Sequence, residues 1–164
     1  MRPVFSRCAP GFTIVELVVV ILITGIIATV AVNRFTDNRA FSEHGFRQQL
    51  AGLLRYGQKL AIASRREVCV VLTPNGGVQG GAALSMNPST TAGGACTATA
   101  LLPGQSGNYT IVTPNDLNVP ALSFRFDPNG RPVSNAGAAL ATFTIAVTNA
   151  GLPLTVEQET GHVH

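Results

Sequence analysis

Residues 9–32 read APGFTIVELVVVILITGIIATVAV, a nearly unbroken apolar run with a carboxylate, Glu16, close to its start. From Ile14 to Val32 no other side chain is charged, and Thr24 and Thr29 are positioned to return their hydroxyls to a helix backbone. At about 1.5 Å of rise per residue this run spans roughly 28 Å, close to the ~30 Å hydrocarbon core of a bilayer. A soluble core helix rarely needs so long an all-round apolar surface, so the stretch predicts a membrane-inserted helix. A secretory signal places its apolar region before the cleavage site. Here a short basic leader with Arg2 and Arg7 comes first, and the apolar run follows Gly11. A lipoprotein signal is excluded by the same order, since Cys8 has no apolar run ahead of it.

An acid at membrane depth costs about 2.5–3.5 kcal/mol on insertion scales, so it is normally paired or functional. A cut after Gly11 would give Phe12 a new amino group, and Glu16 lies one helical turn beyond it. The carboxylate then neutralises that amine, in its own chain or a neighbour's, and an acid in the first turn also suits the helix dipole. The bland alternative is a carboxylate reaching into interfacial water.

Gly11-Phe12-Thr13-Ile14-Val15-Glu16-Leu17 resembles the processing site of type IV pilins and of the pseudopilins of type II secretion. The resemblance implies that a prepilin peptidase cuts after Gly11 and that Phe12 is then N-methylated. It also implies that Glu16 guides the subunit into a growing fibre and sets its register. Charge near the membrane ends leaves topology open, because Arg34, Arg39 and Arg47 outnumber Arg2 and Arg7. The resemblance places the leader, 1–11, in the cytoplasm and the head in the periplasm, with the chain anchored in the inner membrane before assembly into a pilus or pseudopilus. The partners implied are the peptidase, other major and minor pilins or pseudopilins, the inner-membrane assembly platform and membrane lipid.

The chain of 164 residues has room for one domain beside a membrane helix. Its formal net charge is +3, and about +1 would remain once Arg2 and Arg7 left with the leader. A chain so weakly basic gives no global support for nucleic-acid binding. Of three cysteines, Cys8 leaves with the leader. In an oxidising periplasm Cys69 and Cys96 are expected to form a disulfide; the alternative is two reduced thiols, one of them buried on a strand.

A stripe of Phe46, Leu50, Leu53, Leu54, Leu60 and Ala61 recurs at helical spacing. It predicts a long helix over 12–66, its membrane segment over 12–32. Gly45, Gly52 and Gly57 weaken this helix by roughly 1 kcal/mol each relative to Ala, which packing on a sheet must offset. Beyond Arg66 the pattern shifts to period two with turn residues. Strands are expected over 68–73, 109–113 and 122–126, with a strong turn at Asp127-Pro128-Asn129-Gly130-Arg131-Pro132. A hairpin is expected over 141–148 and 154–158. The Gly-, Ala-, Ser- and Thr-rich residues 76–107 read as a long irregular loop with a short strand near Ala83. The fold class is therefore α+β, a type IV pilin fold by resemblance. A long N-terminal helix packs on one small antiparallel sheet or two, with the head over 67–164.

No catalytic constellation occurs, so no enzyme activity, cofactor or metal is expected. His162 and His164 alternate on one strand face as a two-histidine pair with no third ligand near in sequence. The ending, 156–164, together with Phe126-Asp127-Pro128-Asn129-Gly130-Arg131, is similar to the GspH/FimT branch of the pilin family. Within it, the minor pilins of mannose-sensitive haemagglutinin (MSHA) pili are most alike. Some FimT-like pilins bind DNA through arginines after the terminal glycine, and here His162 and His164 stand at the matching positions. An imidazole carries little charge at pH 7, so most of the phosphate attraction would be missing. Arg125 and Arg131 are the remaining candidates for a DNA-binding stripe.

The resemblance thus implies a minor pilin of an MSHA-type pilus, assembled into the pilus or priming its assembly. The alternatives are a GspH-like pseudopilin of type II secretion, a FimT-like DNA receptor, and an enzyme or sensor with one anchor.

Overall fold

The computed structural model describes residues 11–35, 38–102, 104, 106–147 and 153–164, with the side chains of 30–40 outside that description. It divides into two units, one ending at Asn38 and one from Arg39 to His164.

The first unit holds helix α1, Ile14–Phe35. Its many β-branched residues lower helix propensity only slightly. Two of its few polar groups are absorbed by the backbone. Thr24 donates its hydroxyl to the carbonyls of Val20 (2.8 Å) and Ile21 (3.0 Å), and Thr29 donates to Ile26 (2.8 Å). Every described side chain from Phe12 to Thr29 is exposed. Among the described residues no helix is long and apolar enough to cross a membrane; the described side chains of α1 end at Thr29, and the span expected over 12–32 reaches beyond them.

The second unit opens with helix α2, Asn38–Ser64. The expected stripe lies inward: Phe46, Leu50, Leu53, Leu54 and Ala61 are buried, and Leu60 is half-buried. The helix ends at Ser64, two residues before the expected boundary. No glycine or proline marks that end. Arg65 itself takes the left-handed conformation, φ 52°, and Arg66 N–H reaches back to the Ala61 carbonyl at 3.3 Å while Arg65 N–H reaches Ile62 at 3.4 Å. This is a Schellman turn with an arginine where glycine is usual.

α2 covers one face of an antiparallel sheet. In chain order its strands are β1 (Val68–Thr73), β2 (Gly81–Met86), β3 (Ala98–Thr99), β4 (Thr110–Val112), β5 (Leu122–Phe126) and β6 (Pro132–Val133). The order across the sheet is β3-β2-β1-β5-β6, with β4 also beside β2. Alternation along β1 turns Val68, Val70 and Leu72 toward the helix, and the register sets Phe126, Phe124 and Leu122 of β5 beside them. Gly57 is where α2 comes closest: a Cβ there would meet Leu84 at 3.1 Å. Gly45 and Gly52 have open space instead, so close approach explains only one of the three helix glycines.

The short strand expected near Ala83 is present as β2, which runs for six residues and lies inside the sheet rather than in a mostly irregular loop. Its residues, Gly-Ala-Ala-Leu-Ser-Met, have weak strand propensity. Pairing with β1 on one side and with β3 and β4 on the other overrides it. Gly81 is required there, since a Cβ would stand 2.2 Å from the Ile111 carbonyl oxygen.

A second sheet pairs β7 (Phe143–Ile145) with β8 (Leu154–Val156), the two arms of the expected hairpin; its connection lies outside the described residues. Val163 adds a bridge to Val156, so the end of the chain extends this sheet. Ile145, Leu154, Val156 and Val163 join the common core, and Phe143 meets Phe124 edge-on with ring centroids 5.1 Å apart. Burying each such side chain stabilises by about 1.5–3 kcal/mol. The fold is α+β, a helix packed on antiparallel sheet, as expected.

Candidate functional site

The processing motif lies at the start of α1. Gly11, Phe12 and Thr13 are non-helical and exposed, so the bond between Gly11 and Phe12 lies outside the helix and open to solvent. Thr13 caps the helix: its Oγ1 accepts the N–H of Glu16 at 3.2 Å, and its carbonyl accepts the N–H of Leu17 at 3.1 Å. Thr13-Ile14-Val15-Glu16 has the form of a capping box, with the acid at the third helical position, where the dipole favours negative charge. Glu16 thus has a local reason to be there in addition to any intermolecular one. The pattern is legible in the sequence, yet the reading from sequence passed over Thr13.

A second constellation is one that sequence reasoning missed. Glu67, at the entry to β1, is buried, and its Oε2 accepts three hydrogen bonds. They come from Arg125 Nη1 (2.9 Å), Asn87 Nδ2 (3.3 Å) and the backbone N–H of Gly93 (2.9 Å). Arg125 Nη1 also donates to the Gly94 carbonyl at 2.6 Å. These bonds tie residues 87–94 onto the sheet. Asn87 braces the same segment, receiving the N–H of Ser89 at 2.9 Å and donating to the Thr91 carbonyl at 2.9 Å. The Cys69–Cys96 disulfide closes beside this network, with Cα atoms 6.2 Å apart, and Cys69 stands opposite Arg125 in the strand register. The expected pairing of the two cysteines is therefore present.

The same geometry corrects the expectation for Arg125. Its residue is 8% exposed and its guanidinium is held by Glu67 and Gly94, so it cannot join Arg131 in an exposed basic stripe. A charge buried in a pair is retained by that pair, because separating it would leave the partner carboxylate uncompensated. No local signal could reveal this partnership, since Glu67 and Arg125 are 58 residues apart.

Arg131, His162 and His164 lie on two adjoining loops. The 127–131 turn is organised by Asp127, whose Oδ1 accepts the N–H groups of Asn129 (2.9 Å) and Arg131 (2.8 Å). Gly130 and Gly161 bring the loops into contact: both have positive φ, and a Cβ on Gly161 would stand 1.9 Å from the Gly130 carbonyl oxygen. Gln58 of α2 clamps the junction, donating to the carbonyls of Thr160 (2.6 Å) and Gly130 (3.3 Å). Arg131 is exposed, with its guanidinium 3.9 Å from the Glu159 carboxylate. His162 and His164 are exposed and stack on each other, ring centroids 5.5 Å apart and planes 23° from parallel.

A cleft of about 400 Å³ opens between the start of β5 and β7, lined by Pro120, Leu122, Leu140 and Phe143 with two alanines and two threonines. Nothing in that lining supplies an acid, base or metal ligand. Among the described residues no three His, Cys, Asp or Glu side chains converge as a metal site.

The family model described as type II transport protein GspH matches residues 47–159, which takes in most of α2 and nearly all of the two sheets. The model of the prokaryotic N-terminal methylation motif matches residues 7–32, which contain Gly11, Phe12, Glu16 and the start of α1. No curated protein and no solved structure matches the chain.

Proposed function

The chain belongs to the family of the type II transport protein GspH, and we propose that this type IV pilin-like subunit is a minor pilin of an MSHA-type pilus, acting by assembly and not by catalysis. One observation carries the reading. A methylation motif runs from exposed, non-helical chain into a helix whose described apolar side chains are all exposed. Exposed apolar surface of that extent marks a site for lipid or for other helices. In the proposed sequence of events the leader, 1–11, is cytoplasmic and the segment 12–32 holds the chain in the inner membrane, with the head, 67–164, in the periplasm. The prepilin peptidase cuts between Gly11 and Phe12, and Phe12 is N-methylated. The helix then leaves lipid for a bundle of other pilins at the assembly platform, where Glu16 meets the amine of a neighbouring subunit.

The assignment to a pilus rests on the likeness of 126–131 and 156–164 to the MSHA minor pilins, two segments that the fold places side by side at Gly130 and Gly161. A second reading, a pseudopilin of type II secretion, is favoured by the match to the family of the type II transport protein GspH. DNA reception has less support than the sequence offered, because Arg125 is committed to Glu67.

Clean deletion of the gene, followed by its restoration, separates the readings. Surface pili should disappear while enzyme export continues normally. Normal pili with enzymes trapped in the periplasm would instead assign the chain to secretion.

A further inference from the structure

We propose that His162 and His164 form a bidentate site for a first-row divalent transition ion, such as Ni²⁺, Cu²⁺ or Zn²⁺, on the surface of the head. The proposal is independent of which fibre the chain joins. From sequence the pair looked unused, because no third ligand lies near it. The structure adds two things that spacing alone did not supply: proximity of the two rings and rigidity of the backbone that carries them.

Proximity comes from the stacked rings. With centroids 5.5 Å apart and planes 23° from parallel, both rings sit on one face and open to solvent. Two imidazole donors at ~2.0–2.1 Å from one ion stand about 3 Å from each other. The stacked rings must therefore turn about their side-chain torsions, so that one nitrogen of each faces the same ion, for the site to form.

Rigidity comes from everything around them. Thr155 and His164 exchange both backbone hydrogen bonds, at 2.7 and 3.1 Å, and the Glu157 N–H reaches the His162 carbonyl at 3.0 Å. Between the histidines Val163 is fully buried, and Arg55 donates to its carbonyl through Nε (3.1 Å) and Nη2 (2.9 Å). Gly161 is locked against Gly130 on one side. The backbone carrying the ligands is therefore fixed before any ion arrives, which reduces the ordering cost of binding. Of the charged groups beside this segment, Arg55 reaches the Val163 carbonyl, Arg131 faces Glu159, and the Glu157 carboxylate accepts the Thr160 hydroxyl.

Imidazole suits Cu²⁺, Ni²⁺ and Zn²⁺, whereas Mg²⁺ and Ca²⁺ prefer oxygen. With two protein ligands the remaining coordination positions stay open for water or for a donor from another molecule. Binding should weaken as pH falls, because protons compete for the same ring nitrogens.

The test uses the untagged full chain in detergent, titrated with Ni²⁺ by calorimetry, with Mg²⁺ as the control ion. One saturable Ni²⁺ site is expected, and either His162→Ala or His164→Ala should weaken it by at least about tenfold. His44→Ala, on α2, should leave it unchanged. Both loop variants are at exposed positions, and circular dichroism would verify that they fold. Electron paramagnetic resonance of the Cu²⁺-loaded chain should show two coordinated imidazole nitrogens. Ni²⁺ binding that survives the double variant, no saturable binding in the parent chain, or a Cu²⁺ spectrum with a single imidazole would each overturn the proposal.

Discussion

Helices α1 and α2 share a secondary structure and differ in what their apolar side chains meet. In α2 the apolar residues form a stripe, and a sheet of the same chain covers it. In α1 they surround the helix, and every described one is exposed. A stripe needs one partner surface, which a single chain supplies by folding. An all-round apolar surface needs a solvent of its own kind, lipid or a bundle of similar helices. The head therefore owes its stability to intramolecular packing, and the N-terminal helix awaits an environment.

The sharpest way to break this comparison is Glu16→Val. If α1 acts through assembly, surface fibres containing the subunit should fall by more than about tenfold while the thermal midpoint of the head stays unchanged. Immunoblotting of sheared fibres, beside a melt of the purified chain, reads both quantities. A matching loss of head stability would show that the two regions are not separable.

Next in size is the head's own polar anchor. Glu67→Gln should destabilise the head by about 3–5 kcal/mol, because the buried Arg125 charge would lose its counter-ion. Denaturant unfolding would detect it, and a change under about 1 kcal/mol would mean that the ion pair is incidental. Cys69→Ser with Cys96→Ser should cost roughly 3 kcal/mol for a closure spanning 27 residues, measured by the shift between oxidised and reduced unfolding curves.

Smaller effects sharpen the contrast at the helix ends. Arg65→Gly should stabilise the head by about 1 kcal/mol by relieving the left-handed arginine at the Schellman turn. Thr13→Ala should reduce helicity at the start of α1 by about 1 kcal/mol, visible as faster amide exchange over 14–17 and not in α2.

Legibility in the sequence followed the range of the interactions involved. The inward stripe of α2 was readable because helical periodicity repeats every few residues. Strands β1 and β5 were readable because Val-rich or aromatic alternation marks a half-buried strand. Strand β2 is legible only as a short strand near Ala83, since small residues such as Gly81, Ala82 and Ala83 give little strand signal, and pairing on both sides sets its six-residue length and its place inside the sheet. The end of α2 was misjudged by two residues because the residue that turns the chain is an arginine.

The candidate sites divide the same way. Gly11, Phe12, Thr13 and Glu16 are neighbours, so a leader, a cleavage point, a cap and an acid can be read in one line of sequence. The two cysteines left beyond the leader, and the oxidising compartment that the pilin resemblance implies, were enough to expect a bond between Cys69 and Cys96, which the structure contains. Arg125 reads from sequence as a candidate for an exposed DNA-binding stripe, and only the fold, which brings Glu67 from 58 residues earlier, buries its charge in a pair. His162 and His164 looked like a loose ending until pairing with β8 and the clamps from Arg55 and Gln58 fixed their backbone. Sequence alone determined which segment seeks an apolar environment, because side-chain solvation is a property of each residue. Tertiary structure decided which charges remain available at the surface, because that depends on partners the chain brings together only by folding.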